Sequence, residues 1–135
     1  MPMIDPRYLM QRGSQFYFGT NNPALGPMLE WGPKGPPFTC LGHFDEIGNS
    51  IKFWYAGRDS SPEEPYFVPR SADAPEGDGW IVQVCNRLDE ARSDLLIFDA
   101  LDIAKGPLAT VHIPIRLRFG LHGNWVNGAD IGLAA

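Results

Sequence analysis

The three histidines of this 135-residue chain are its most versatile candidate functional residues, because imidazole serves both as a metal ligand and as an acid–base group near neutral pH. No two of them have the spacing of a helical pair or of a zinc-ligand set, so the sequence contains no recognisable complete metal site. His43 and His112 lie in strand-like runs, where partly exposed residues without a chemical role are expected. We assign neither of them a role.

His122 has a more unusual setting. It lies between Gly120 and Gly123, and residues without a side chain allow the backbone to turn sharply around a single imidazole. A ligand role and a hydrogen-bonded histidine in a turn both explain this pattern. The residues alone leave the two interpretations open.

Two carboxylates, Glu63 and Glu64, come directly before Pro65, which fixes an extended segment. The simpler interpretation is a solvated loop. The functional interpretation is that one carboxylate accepts the second N–H of a metal-bound histidine, which fixes the ring and its tautomer. The sequence has no Ser-His-Asp order, phosphate-binding glycine loop or Cys-x-x-Cys, so nucleophilic, nucleotide and structural-zinc chemistry have little support.

The elements that must position these side chains are predicted to be short strands. With 15 Gly and 13 Pro the chain turns often, and its hydrophobic fraction of 44% is sufficient for a folded core. Gly48 and Asn49 are typical of a turn that closes a hairpin. Strands are predicted at residues 15–20, 39–44, 51–56, 66–68, 79–85 and 109–113. An ordered surface connection that includes Trp31 is predicted between the first two.

The segment from Asp94 to Lys105 is compatible with two structures. One is a helix with Asp94 as its N-cap and Gly106 as its stop, but the apolar residues do not keep to one helical face. We favour a strand over residues 94–98 and a turn over residues 99–107, because the antiparallel order then continues into residues 109–113. The chain is therefore predicted to be all-β and built of antiparallel meanders.

The charge of the chain argues against a nucleic-acid partner. The formal net charge is −5, and nucleic-acid affinity depends on clustered Lys and Arg. Arg116 and Arg118 alternate in a strand-like run that is typical of a solvated strand face. Cys40 and Cys85 are expected to be buried free thiols in a reducing cytoplasm, since no secretory signal precedes them. No run is long and apolar enough for a transmembrane segment.

Three motifs in order and spacing resemble the C-terminal portion of the carotenoid cleavage oxygenase family. They are Glu64–Arg70 (Glu-Pro-Tyr-Phe-Val-Pro-Arg), Asp78–Trp80 (Asp-Gly-Trp) and Phe119–Val126 (Phe-Gly-Leu-His-Gly-Asn-Trp-Val). The stretches Asn22–Pro27 and Phe53–Gly57 are most similar to the lignostilbene dioxygenase branch. The resemblance covers nearly the whole chain, and the motifs together are far more specific than any one of them.

The resemblance implies that residues 1–135 form the C-terminal part of a propeller domain, the last two to three blades of a seven-bladed β-propeller. Members of the family hold Fe(II) with four histidines and support three of these with glutamates. His122 matches the last histidine ligand, and Glu64 matches one supporting glutamate. The implied activity is cleavage of a carbon–carbon double bond of a carotenoid, apocarotenoid or stilbene by O2, which yields two carbonyl products.

The sequence also departs from the family pattern. The other three histidine ligands belong to earlier blades, for which this chain has no residues, and its first residues correspond to a place just past another supporting glutamate. One imidazole does not hold iron against water and competing ligands, so the chain alone is expected to be inactive.

Two alternatives remain open at this level. A non-catalytic β module would use open sheet edges to associate with itself or with a partner, because two or three blades do not close a propeller. An unrelated small β-sandwich that binds an apolar ligand would instead be a closed, compact monomer without iron dependence.

Overall fold

The computed structural model describes residues 2–29, 37–120 and 122–133, and within these ranges the regular structure is almost entirely strand. Short 3-10 helices occur at Pro6–Tyr8, Ile103–Lys105 and Gly128–Ile131. None of the described helices has the length and apolar character needed to span a bilayer. The strands are β1 (Gln15–Thr20), β2 (Cys40–Asp45), β3 (Ser50–Tyr55), β4 (Ser60–Pro62), β5 (Tyr66–Pro69), β6 (Gly79–Arg87), β7 (Arg92–Asp99) and β8 (Ala109–Ile113).

The described strands form two antiparallel sheets. The first sheet has the order β1-β2-β3, and the second has the order β4-β6-β7-β8, with β5 also paired to β6. The prediction of an all-β, antiparallel chain is confirmed. The strand predicted over residues 94–98 is also confirmed as part of β7, and its turn contains the 3-10 helix at residues 103–105. Strand β4 was not predicted from the sequence.

The hairpin between β2 and β3 closes as its sequence predicts. Asp45 pairs with Ser50 at the end of the ladder, and Asn49 adopts a positive φ of 44°. Asn tolerates this left-handed conformation better than most residues. The Asp45 carboxylate also accepts a hydrogen bond from the backbone N–H of Gly48 at 3.0 Å, so the turn is held by a side chain as well as by the ladder.

The two sheets share one hydrophobic core. Tyr17 and Leu41 from the first sheet pack in the same cluster as Phe67, Ile81 and Phe98 from the second. Cys85 also belongs to this cluster, and both Cys85 and Cys40 are buried free thiols, as predicted. Alternate residues of β6 therefore point to the core, and the residues between them face the opposite side of the sheet.

The prediction that His43 is a partly exposed strand residue is wrong. β2 lies between β1 and β3, and the His43 side chain is only 3% exposed. Its ring stacks on Tyr17 with centroids 4.7 Å apart, and its Nε2 donates to Gln15 Oε1 at 2.7 Å. Burial lowers the pKa of His43 and favours the neutral ring. The histidine is a core residue.

Two further sequence-based expectations concern the loops. Arg116 and Arg118 are exposed as expected, but they do not lie in a strand, because β8 ends at Ile113 and residues 114–120 are irregular. The strand interpretation of that run is therefore wrong. The connection predicted between β1 and β2 covers residues 21–37, and its middle part at residues 30–36, with Trp31, lies outside the described residues.

A buried carboxylate, Asp94, connects the end of β6, the beginning of β7 and the end of β8. Its Oδ2 accepts from Arg87 Nε at 2.7 Å, and its Oδ1 accepts from Arg92 Nε at 3.1 Å and from His112 Nδ1 at 2.8 Å. His112 itself is 63% exposed, in agreement with the prediction for that residue. Burial raises the pKa of Asp94, but the three hydrogen bonds outweigh it and lower the pKa to about 2.

We expect Asp94→Asn to lower the free energy of unfolding by about 3 kcal/mol, because it leaves two guanidinium groups without their shared carboxylate. Urea unfolding measures the change. Asp89→Asn, at an exposed position of the same hairpin, is the matched control and should change stability by less than about 0.5 kcal/mol.

The depressed pKa of Asp94 also predicts how this difference depends on pH. The native state binds fewer protons at Asp94 than the unfolded state does, so the contribution is complete above about pH 4 and is lost as the pH falls towards 2. Wild type and Asp94→Asn should therefore converge in stability over that window. A gap that stays constant down to pH 2 would contradict the assignment.

Candidate metal centre

Glu64 lies in the short connection between β4 and β5, and its neighbours fix it in place. All three residues of β4 are buried. The backbone N–H of Glu63 donates to the carbonyl of Val84 in β6 at 2.8 Å, and Pro65 is buried on the other side. The Glu64 side chain retains 21% exposure. The expectation of a freely solvated loop is therefore wrong for this segment.

His122 reaches the same place from the irregular segment that follows β8. Its Nδ1 lies 3.0 Å from Glu64 Oε2, although the two residues are 58 positions apart in sequence. The His122 side chain is 65% exposed. The structure thus brings together the two residues that the sequence motifs singled out, and the rest of the imidazole ring stays accessible.

The electrostatics of the pair define which nitrogen is available. Partial burial raises the pKa of Glu64, but favourable contacts led by the hydrogen bond with His122 bring the net pKa below its ordinary value. An ionised carboxylate is purely an acceptor, so the proton of the neutral ring belongs on Nδ1. The Nε2 lone pair is then free to bind a metal ion.

A cleft of about 160 Å³ lies beside the pair. Its floor is the face of the second sheet opposite the core, where Val82 and Val84 of β6 meet Leu95 of β7. Tyr66 and Trp125 add aromatic walls. Pockets for small molecules are usually about 300–1,000 Å³, so this cleft forms only part of the enclosure that an apolar ligand would need.

The residues present fit one corner of an imidazole-based metal site. The described residues contain no group of three or more His, Cys, Asp or Glu side chains placed to share a metal ion. His43 is bound to Gln15 in the core, and His112 is bound to Asp94. Neither of these histidines lines the cleft of His122. An imidazole nitrogen is a suitable ligand for Fe(II). At this cleft the described residues supply one such nitrogen, that of His122.

Sequence reasoning missed the polar residues around this pair. Asn86 and Ser93 are fully buried, and Asn86 Nδ2 donates to Glu63 Oε1 at 2.8 Å. Both residues lie in strands and have no motif or spacing that marks them. Only their burial in the folded chain reveals them.

Solved structures define the class of this fold. The chain superimposes on the crystal structure of a lignostilbene dioxygenase from Pseudomonas brassicacearum with a TM-score of 0.79, at 35% identity over 94% of this chain and 27% of that one. It superimposes on a cobalt-substituted apocarotenoid oxygenase from Synechocystis with a TM-score of 0.76, at 25% identity over 93% and 24% of the two chains. The class is therefore the β-propeller fold of carotenoid oxygenases.

The chain belongs to the retinal pigment epithelial membrane protein family, whose model matches residues 1–127. The resemblance to carotenoid cleavage oxygenases and their lignostilbene branch is thereby confirmed. An isoeugenol monooxygenase from Pseudomonas putida is 43% identical over 93% of this chain and 26% of its own length. The chain spans about a quarter of the length of these relatives.

We expect Glu64→Gln to reduce the fraction of His122 that carries its proton on Nδ1, because an amide oxygen is a weaker acceptor than a carboxylate. Nitrogen-15 NMR of histidine-labelled chain near pH 8.5 measures this fraction. The signals of His112, bound to Asp94, are an internal control and should not move. Unchanged His122 signals would show that the contact does not set the tautomer.

Proposed function

We propose that this chain supplies the histidine ligand His122 and its supporting carboxylate Glu64 to the Fe(II) centre of an oxygenase. The proposed reaction is cleavage of a carbon–carbon double bond of a carotenoid, apocarotenoid or stilbene with O2. Residues 1–135 would be the C-terminal part of the propeller domain, within a ring of seven blades. The chain by itself is proposed to be inactive.

The observation that carries this proposal is the 3.0 Å contact between His122 Nδ1 and Glu64 Oε2. A carboxylate on the outer nitrogen is the arrangement that fixes the tautomer and direction of a metal-binding imidazole. The relatives add support, because they include a lignostilbene dioxygenase, an isoeugenol monooxygenase and a metal-substituted apocarotenoid oxygenase.

The residues at the cleft have separate roles in this proposal. Glu64 holds the Nδ1 proton and stops the ring from rotating, and His122 presents Nε2 to the cleft. Val82, Val84 and Leu95 offer an apolar wall against which an alkene could lie without losing hydrogen bonds. An iron ion held there would keep its positive charge, because imidazole ligands are neutral, and would supply the activation of O2.

The isolated chain should therefore not retain iron. One exposed imidazole gives a weak, monodentate site, so we expect far less than one Fe per chain after purification and no cleavage of stilbenes or carotenoids. Elemental analysis and product chromatography measure both. About one tightly held Fe per chain would mean that the ligand count proposed here is wrong.

A chimera tests the ligand itself. We expect the Pseudomonas brassicacearum lignostilbene dioxygenase, with its corresponding quarter replaced by this chain, to bind iron and cleave its substrate. His122→Ala in the chimera should abolish both properties, and Glu64→Gln should weaken iron affinity by about 10- to 100-fold.

The matched control in the chimera is His112→Ala, since His112 is also largely exposed but contacts Asp94 and not Glu64. This variant should keep iron and activity. If His122→Ala retains stoichiometric iron while the chimera is folded, His122 is not a ligand.

A non-catalytic β module is the second candidate, favoured by β8. Four of its five residues are exposed, and Leu108, Val111 and Ile115 are each more than half exposed. Such an edge could pair with a second copy of the chain. Sedimentation velocity at about 100 μM distinguishes the candidates, because a purely monomeric chain would remove this one.

The compartment proposed for the protein is the cytoplasm. Two buried and unpaired cysteines, Cys40 and Cys85, suit a reducing environment.

A further inference from the structure

We propose that Ser93, Asn86 and Glu63 form a hydrogen-bonded relay that positions the segment carrying His122. These would be positioning residues, which act on the imidazole through the backbone and through Glu64. The proposal rests on the proposed function for its purpose, the aiming of Nε2, but the relay itself is defined by contacts within this chain.

The relay begins where the irregular segment leaves the sheet. The backbone N–H of Ser93 donates to the carbonyl of Ile115 at 3.2 Å, and the backbone N–H of Leu117 donates to Ser93 Oγ at 2.9 Å. Ser93 is fully buried in β7. A single rigid residue thus holds two points of a stretch that has no strand or helix of its own.

The side-chain amide of Asn86 is the middle of the relay, and its neighbours determine which of its atoms donates and which accepts. Ser93 Oγ accepts from Leu117, so its hydroxyl proton is directed to Asn86 Oδ1, at 2.7 Å. Asn86 Nδ2 must then be the donor to Glu63 Oε1, at 2.8 Å. Asn86 and Ser93 are both 0% exposed, so water offers no substitute for a lost partner.

The relay ends against the backbone just before His122. A Cβ added to Gly120 would lie 2.8 Å from Glu63 Oε2, a distance that real Cβ atoms essentially never show. The Glu63 carboxylate therefore lies so close to Gly120 that a side chain at position 120 would displace it. By contrast, a Cβ at Gly123 would meet nothing within 4 Å. The chain is tightly fitted on one side of His122 and open on the other.

Together these contacts fix the segment that carries His122 at several points. Adjacent carboxylates act on adjacent parts of the segment: Glu63 lies against Gly120, and Glu64 binds His122. Asn86 and Ser93 connect Glu63 back to Leu117. The His122 side chain is largely exposed, so the orientation of its ring depends on these hydrogen bonds and contacts more than on packing. We therefore assign to the relay the placement of the backbone from which Glu64 receives the ring.

The experiment uses the full chain with nitrogen-15 histidine labelling and amide hydrogen exchange. Ser93→Ala should speed exchange of the Leu117 amide by about tenfold and lower the Nδ1–H fraction of His122. The matched control is Ser14→Ala, a buried serine directly before β1, whose Oγ donates to Glu76 Oε2 at 2.7 Å. This control should lose stability without changing either His122 or Leu117.

A second set of four variants leaves the buried residues Asn86 and Ser93 unchanged. Gly120→Ala should displace the Glu63 carboxylate and lower the Nδ1–H fraction of His122, whereas Gly123→Ala should leave it unchanged. Glu63→Ala should behave as Gly120→Ala does. Glu63→Gln keeps an oxygen for Asn86 and should restore most of the wild-type signal.

The outcomes separate the relay from the proposed function. If wild-type His122 shows no preference for Nδ1–H, the pairing with Glu64 is wrong and the proposed ligand role loses its support. If wild type shows the preference and Ser93→Ala, Gly120→Ala and Glu63→Ala all retain it, the relay alone is overturned. Equal effects of Ser14→Ala and Ser93→Ala would likewise overturn it, because a general loss of stability would then explain both.

Discussion

The hydrogen bond between Glu64 and His122 joins two stretches of chain that belong to no strand, and it depends on how firmly each stretch is anchored. Hydrogen bonds of this kind contribute little at an exposed position unless both partners are already in place. Glu64 is held because β4 and β5 pair with β6 on either side of it. The segment that carries His122 lies outside the sheets, and Ser93 of β7 holds it at Ile115 and Leu117. The site is thus a product of the second sheet and of the polar residues buried in it.

The second sheet serves two purposes through its two faces. Ile81, Cys85 and Phe98 pack into the core that joins the sheets, and Val82 and Val84 form the floor of the cleft. Strand alternation makes this division unavoidable, because neighbouring residues of a strand point in opposite directions. A shift of register by one residue would exchange the core with the cleft floor. Stability of the core and the shape of the site are therefore tied to the same strand pairing.

Local sequence predicted the strands where local chemistry decides them. The Gly48–Asn49 turn and the alternating run of β6 carry strong signals, and the choice of strand over helix for residues 94–98 followed from a pattern without a helical face. β4 escaped prediction because Ser60, Ser61 and Pro62 have no strand preference, and pairing with β6 imposes the extended conformation. The burial of His43 could not be predicted, because it results from the central position of β2 in its sheet, and strand order is not visible in the local sequence.

The site was predictable in part and for a different reason. No periodicity relates residues 64 and 122, so their contact could be expected only from the resemblance to a family. Asn86 and Ser93 could not be expected at all, since a buried polar network exists only once the fold has brought its members together. Sequence motifs marked the residues that face the cleft, and tertiary structure was needed to find those that stand behind them.

Cys85 gives the core a chemical character of its own. Burial raises the pKa of its thiol to about 11, so at neutral pH almost none of it is thiolate, the form that reacts with peroxides, disulfides and electrophiles. A sulfur atom in that state behaves as a small apolar group. The interior of the second sheet therefore exposes no reactive sulfur to oxidants at neutral pH, and the protonated thiol fills space as an aliphatic side chain would.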